Sequence, residues 1–92
     1  MNTDVKKQVI ALMTKFNPTY KSIFTEEVNA VKDIKMNANI ALMSGALLYL
    51  SMYKFSPITY ENVKTFLAIN GYNVEISDIQ KYVNIYRKHY IK

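Results

Sequence analysis

Cysteine and tryptophan are absent from this 92-residue sequence, and histidine occurs once, at position 89. Without cysteine the chain can form no disulfide, thiolate metal site or thiol nucleophile. Only two glycines and two prolines are present, which disfavours a glycine-rich phosphate loop and a many-turned β architecture. These absences favour a helical protein, and we expect neither a cofactor nor a small-molecule substrate.

Acid–base chemistry also lacks the residues it needs. His89 has no carboxylate three or four positions away, and the acidic pairs are Glu26-Glu27 and Glu75 with Asp78. The first pair fits a solvated helix turn, and the second suits a helix N-terminus, where negative charge is favourable. A general acid–base pair needs positioned partners that neither pair has. We therefore expect no catalytic residue, no metal site and no enzyme activity.

Length and composition indicate one folded domain covering residues 1–92. Half of the residues are hydrophobic and about a fifth are charged, which is ordinary for a globular protein. The absence of cysteine fits a reducing compartment. The N-terminal residues lack a secretory profile, because Asp4 precedes the lysines and polar residues interrupt the apolar run. The expected location is the cytoplasm.

The first two predicted helices flank Pro18. Apolar residues at helical spacing predict helix one over residues 3–16, capped by Asn2 or Thr3. Proline disfavours a helical residue before it but suits the first helical position, so Asn17 is the expected cap of helix two. The apolar positions of that second helix are Tyr20, Ile23, Phe24, Val28, Val31 and Ile34.

The last two predicted helices are bounded by recognisable caps. Thr59 is expected to cap helix four over residues 60–69, and Asn70-Gly71 is expected to end it with a positive φ. The segment "SDIQ" has the serine and glutamine of a capping box at the start of helix five. Helix five should dock through Ile79, Val83, Tyr86 and Tyr90.

Between these pairs lies "MNANIALMSGALLYLSMY", an eighteen-residue stretch without charge at residues 36–53. Its strongly apolar part is shorter than the about 20 residues that a membrane span requires, so a membrane role is not expected. A helix apolar on all sides is typical of the buried centre of a bundle. The prediction is an all-α bundle of about five short helices around a central helix at 38–54.

Two small residues one turn apart, Ala41 and Gly45, let another backbone approach this central helix. Because glycine inside a helix costs about 1 kcal/mol relative to alanine, packing must favour it there. The face formed by Ala41, Gly45 and Leu48 is either an internal close-packing face or a dimer interface. A homodimer is therefore one expected assembly.

Basic charge is concentrated at the C-terminal end. Residues 81–92 hold four bases and no acid, out of a net charge of +5 for the whole chain. Bases interleaved with aromatic rings suit phosphate contact and base stacking. The alternative is a solvated helix end that complements the helix dipole. The candidate contacts with RNA, DNA or an acidic protein are Lys81, Tyr82, Arg87, Lys88, His89 and Lys92.

Residues 46–86, "ALLYLSMYKFSPITYENVKTFLAINGYNVEISDIQKYVNIY", resemble the N-terminal dimerisation domain of the acidic ribosomal stalk proteins of archaea and eukaryotes. The matching pattern is an apolar helix carrying a tyrosine, a threonine-capped helix, a glycine, a valine-containing link and a further amphipathic helix. The matching residues are Ala46, Leu47, Leu48, Tyr49, Ile58, Thr59, Glu61, Val63, Leu67, Gly71, Val74, Ile76, Ile79 and Val83. The first 37 residues have no counterpart in that family, and the basic "YRKHYIK" stands where the family has an acidic tail. The resemblance implies a ribosome-associated interaction fold with an apolar dimer face, without the recruitment of translational GTPases.

These observations favour a small, non-enzymatic helical module for protein–protein interaction, acting on a protein partner or on a second copy of itself. A basic nucleic-acid-binding protein that uses the C-terminal helix is the alternative. A helical bundle similar to the bacteriocin immunity proteins is a further alternative, on the basis of size and charge.

Overall fold

The computed structural model describes residues 3–31 and 39–90, with side chains through residue 88. The described part contains five α-helices, one 3-10 turn and no strand, which confirms the all-α prediction. In chain order these are α1 (Thr3–Phe16), the 3-10 turn (Pro18–Tyr20), α2 (Lys21–Ala30), α3 (Ile40–Met52), α4 (Tyr60–Ile69) and α5 (Ile76–Tyr90). The predicted positions Asn2 and Ile34 lie outside the described residues.

Helix α3 is the centre of the bundle. It packs against α1, α2, α4 and α5, and eleven of its thirteen residues are buried. Ala46, Leu47 and Leu48 have no exposed surface. Burying a leucine side chain completely contributes about 1.5–3 kcal/mol, so the leucines of this helix contribute substantially to hydrophobic stabilisation. The predicted central helix is confirmed.

The bounds of α3 differ from the predicted 38–54 by two residues at each end. Asn39 has extended backbone dihedrals, and its side-chain oxygen accepts the N–H of Leu42 at 3.0 Å. An asparagine in this geometry is a standard helix N-cap, so the helix begins at Ile40. Among the described helices, none is both long and apolar enough to cross a membrane.

Side-chain caps begin two further helical segments. The Asn17 side chain accepts the N–H of Thr19 at 3.1 Å, which starts the 3-10 turn that leads into α2. At α4, the Thr59 hydroxyl accepts the Asn62 N–H at 3.0 Å, and the Asn62 side chain accepts the Thr59 N–H at 3.1 Å. This reciprocal pair is a capping box, and the predicted role of Thr59 is confirmed. Asn17 caps the 3-10 turn rather than α2, whose own N-cap position is Tyr20.

Helix α4 ends at the predicted glycine. Gly71 has a φ of 90°, and the N–H of Tyr72 donates to the Leu67 carbonyl at 2.8 Å. The Gly71 N–H donates to the Ala68 carbonyl at 3.0 Å, so the chain forms a Schellman motif. Glycine fits here because a positive φ is costly for other residues.

The predicted cap of α5 at Ser77 is wrong. The helix begins at Ile76, and the Glu75 carbonyl accepts the N–H groups of Asp78 at 3.1 Å and Ile79 at 3.2 Å. Ser77 therefore lies inside the first turn, two residues after the N-cap position at Glu75. Ile76 is partly buried, so extending the helix by this residue also removes apolar surface from water.

Candidate interaction surfaces

The face of α3 that contains Gly45 is covered within the chain itself. A Cβ atom built at Gly45 would lie 2.9 Å from Cδ1 of Leu67 and 3.1 Å from Cγ1 of Val63. Both side chains belong to α4 and are fully buried. Ala41 and Leu48 are also buried in the bundle. Of the two predicted roles for this face, the structure shows internal close packing at Gly45, and these residues present no surface to a second copy.

The docking face of α5 contains one aromatic residue more than predicted. Ile79, Val83 and Tyr86 are buried as expected, but Tyr82 is also only 9% exposed. A ring this deeply buried offers no open face to a nucleic-acid base, so the predicted stacking role of Tyr82 is wrong. Burial, followed by the negative charge of Asp78 one turn earlier, raises the pKa of the Tyr82 phenol.

The opposite face of α5 is basic and open to solvent. Lys81, Arg87 and Lys88 are all exposed, and none of the three forms an ion pair with an acidic residue in the described part of the chain. The side chain of His89 and the whole of Lys92 lie outside the described residues. The structure therefore places three of the six predicted contact residues on a face that an anionic partner can reach.

Tyr86 and Ser44 each carry a buried hydroxyl in the core, and a third, that of Ser51, donates to the Leu47 carbonyl at 2.7 Å. Neither the Tyr86 hydroxyl nor the Ser44 Oγ has a hydrogen-bond partner among the described residues. Burial, followed by the nearby Tyr82 phenol, raises the pKa of Tyr86 far above its ordinary value. A phenol that must remain protonated in the folded state cannot serve as a base. The raised pKa of Tyr86 instead affects how the stability of the fold depends on pH.

Three tyrosine rings stack at the carboxyl end of α3, and we call this group the tyrosine ladder. The ring of Tyr49 lies 4.3 Å from that of Tyr60 and 5.9 Å from that of Tyr53, with interplanar angles of 8° and 15°. Tyr53 is 45% exposed, whereas Tyr49 and Tyr60 are partly buried. The ladder thus joins the central helix to the first turn of α4 and ends at an accessible ring.

The electrostatic surroundings of the ladder include Arg87. Burial raises the pKa of Tyr60, followed by the interaction and hydrogen bond with Tyr49, while the Arg87 charge acts in the opposite direction. Tyr60 begins α4, and α4 packs against α5, the helix that carries Arg87.

Sequence reasoning missed the ladder. Tyr49 and Tyr53 are four residues apart on one helix, a spacing at which side chains meet, so their contact could be predicted. The place of Tyr60 depends on how the loop after α3 returns the chain, which periodicity does not reveal. Beside the ladder, Phe55 stacks on Tyr20 at 5.6 Å, and Lys54 pairs with Glu27 at 3.3 Å.

A second accessible apolar surface lies between the end of α1 and α4, and we call it the α1/α4 groove. Phe16 and Phe66 meet edge to face at 5.3 Å, and Ile69 beside them is 79% exposed. The groove is open, with a volume of about 380 Å³. Its lining residues are Lys15, Phe16, Asn62, Thr65, Phe66 and Ile69, which include one base and no acid.

Metal-binding geometry does not occur within the described ranges, where no three His, Asp or Glu side chains group together. Comparison with protein-family models, curated proteins and solved structures finds no match for this chain. The resemblance to the ribosomal stalk domain therefore stays a prediction.

Proposed function

We propose that this protein is a small, non-enzymatic interaction module that binds a helical segment of another protein in the α1/α4 groove. The observation that supports it is Ile69, a large apolar side chain exposed at the edge of a groove that also contains two aromatic rings. Exposed apolar patches on small globular proteins are frequently binding sites. An amphipathic helix can place one apolar face in such a groove.

Charge favours an acidic partner over a second copy of this chain. The groove contains Lys15 and no acidic residue, and the whole chain carries a net charge of +5. Two copies joined groove to groove would bring their Lys15 side chains together, and like charges at an interface oppose association. An amphipathic helix with carboxylates beside its apolar face would pair with Lys15 while it covers Ile69. The homodimer remains the competing assembly.

Photo-crosslinking tests the proposal. A photoreactive amino acid at position 69 should give a discrete crosslink to a different protein in cells that produce this chain naturally. The same amino acid at exposed Asn29, on α2, is the matched control and should not give that species. A crosslinked product with the mass of two copies would show the homodimer instead. No specific product at position 69 would contradict the proposed groove.

A second candidate function is nucleic-acid binding by the basic face of α5. The observation that favours it is the exposure of Lys81, Arg87 and Lys88, none of which pairs with an acidic residue within 3–31 or 39–88. Each phosphate that a base neutralises releases counterions, so this binding should weaken steeply as salt rises. Replacing these three residues by glutamine should abolish such binding and leave the melting temperature nearly unchanged, because exposed charges contribute little to stability. If the triple variant binds as well as the parent, this candidate is wrong.

A further inference from the structure

We propose that the tyrosine ladder is a stacking platform for a single-stranded nucleic acid, with Arg87 contacting the adjacent phosphate. The inference depends on the nucleic-acid candidate above, and it goes further in assigning a second site and a strand preference. Its residues are Tyr49, Tyr53 and Tyr60 with Arg87. None of the three tyrosines belongs to α5, the helix from which nucleic-acid contact is expected on the basis of charge.

The geometry of the tyrosine rings suits the stacking of a nucleic-acid base. A nucleic-acid base has a flat face, and stacking on a protein aromatic ring is favourable for every base. Tyr53 is the most exposed ring of the ladder, and it already lies nearly parallel to Tyr49. A base placed on Tyr53 would extend a stack that exists in the free protein. Because the rings are held by one another, little side-chain freedom is lost on binding.

The supports of the ladder are rigid, which makes it a preformed surface. Tyr49 lies in the buried central helix, and Tyr60 lies in the first turn of α4, directly after the Thr59 capping box. The two rings are only 4.3 Å apart and nearly parallel. Binding surfaces on helices are held more precisely than those on loops.

The positive charge near the ladder favours a ligand with phosphates over an uncharged ligand. Arg87 and Lys88 are exposed on α5, the helix that packs against α4, and Tyr60 begins α4. The Arg87 charge also opposes the rise in the pKa of Tyr60 that burial causes. The opposing charge on this part of the chain is Glu61, which is exposed beside Tyr60, whereas Lys54 and Glu27 neutralise each other. A phosphate next to a stacked base would complement Arg87. An uncharged proline-rich peptide can also dock on aromatic rings, but it would make no use of this charge.

A single strand fits the ladder better than a duplex, because the faces of its bases are accessible. In a duplex both faces of an internal base are covered by its neighbours, so a protein ring cannot reach them without unstacking. A single strand exposes these faces, and recognition by aromatic stacking is characteristic of such ligands. RNA and DNA single strands share the required chemistry, so both belong in the test.

The test measures fluorescence anisotropy of labelled oligo(U) and oligo(dT) of about 12 nucleotides, a length within the range of known single-strand sites. A duplex of the same length is the comparison ligand. Tyr53→Ala should weaken binding of either single strand about tenfold and leave duplex binding unchanged. Tyr53→Leu, which keeps an apolar side chain and removes the ring, should weaken it similarly. Tyr53→Phe should bind like the parent.

The matched control is Tyr72→Ala, because Tyr72 is 40% exposed but belongs to no ring stack in the described structure. This variant should bind like the parent. Arg87→Gln should weaken single-strand binding and reduce the slope of affinity against salt by about one phosphate contact. Circular dichroism of each variant should retain the parental helical signal. Tyr53-dependent binding of either strand supports the inference, and the tighter strand identifies the ligand as RNA or DNA.

Three results would overturn the inference. If the parent binds neither single strand at low salt, the ladder inference fails, and the nucleic-acid candidate fails with it when the duplex is not bound either. If the parent binds with salt dependence but Tyr53→Ala and Tyr53→Leu bind equally well, the ladder inference fails while the basic α5 face remains supported. If a proline-rich peptide binds through Tyr53 and the single strands do not, the ladder is a peptide site.

Discussion

Gly45 of α3 and Leu67 of α4 approach so closely that a Cβ atom at position 45 would lie 2.9 Å from Cδ1 of Leu67. Val63, at 3.1 Å, limits the space from the same helix. Valine is stiff about its first side-chain torsion, so it cannot easily move aside. The packing of α4 on the central helix therefore depends on the missing side chain at position 45.

Gly45→Leu should lower the free energy of unfolding by about 1–3 kcal/mol, because the larger side chain forces α3 and α4 apart. Urea denaturation followed by circular dichroism measures the change. The control is Ala68→Leu, which adds a leucine at an exposed position of α4 and should change stability by less than about 0.5 kcal/mol. Equal stability of Gly45→Leu and the parent would show that α3 and α4 are not closely packed at position 45.

Leu47→Asp should abolish the cooperative thermal transition. Leu47 has no exposed surface, and an unpaired carboxylate there costs an amount comparable to the whole stability of a small domain, about 5–15 kcal/mol. Ile69→Asp introduces the same residue at a 79% exposed position and should retain the transition. If Leu47→Asp melts like the parent, position 47 is not in the core.

Thr59→Ala should destabilise the protein by about 1 kcal/mol, since it removes the hydroxyl that accepts the Asn62 N–H. Thr65→Ala makes the same substitution at an exposed site inside α4. There alanine has the higher helix propensity, so stability should stay the same or rise slightly. Chemical denaturation of both variants provides the comparison. Equal losses in the two would argue against a capping role.

Alkaline pH should destabilise the parent through Tyr86. Burial raises its pKa, so the unfolded chain releases this proton at a lower pH than the folded chain does. The stabilisation that the raised pKa of Tyr86 contributes is fully present below the ordinary tyrosine pKa of about 10. It decreases as the pH rises above that value. Tyr86→Phe should reduce that fall, as measured by urea denaturation at several pH values.

At neutral pH, Tyr86→Phe should cost little, because the hydroxyl has no hydrogen-bond partner among the described residues. Tyr53→Phe leaves Tyr86 in place and should keep the alkaline loss of stability. An identical pH profile for Tyr86→Phe and the parent would mean that another group causes the loss.

Helix ends were predictable where a side chain or a backbone requirement marks them. Thr59 and Gly71 gave α4 its correct bounds, because one supplies a cap and the other tolerates a positive φ. The ends of α3 were less clear, since a uniformly apolar stretch has no periodicity that shows where it stops. Asn39 was the available signal there. Ser77 was the predicted cap of α5, but the helix begins one residue earlier, at Ile76, which is partly buried.

The candidate surfaces were harder to predict than the helices. Tyr82 lies three residues after Ile79 and four before Tyr86, so helical spacing alone places it on the buried face of α5. The interleaved charges of α5 instead suggest an exposed ring. The ladder and the α1/α4 groove each join residues from two separate helices, and such contacts depend on tertiary packing. The exposure of Ile69 likewise depends on tertiary packing, because the neighbouring helices decide which part of α4 is covered.

Co-purification from native lysate, with and without nuclease, tests the interaction-module account most directly. The parent is compared with Ile69→Asp, which changes the α1/α4 groove, and with the variant in which Lys81, Arg87 and Lys88 are glutamine. The account predicts a protein that stays bound after nuclease treatment, is lost with Ile69→Asp and is retained by the glutamine variant. A partner that disappears with nuclease, or that Ile69→Asp retains in full, would contradict it.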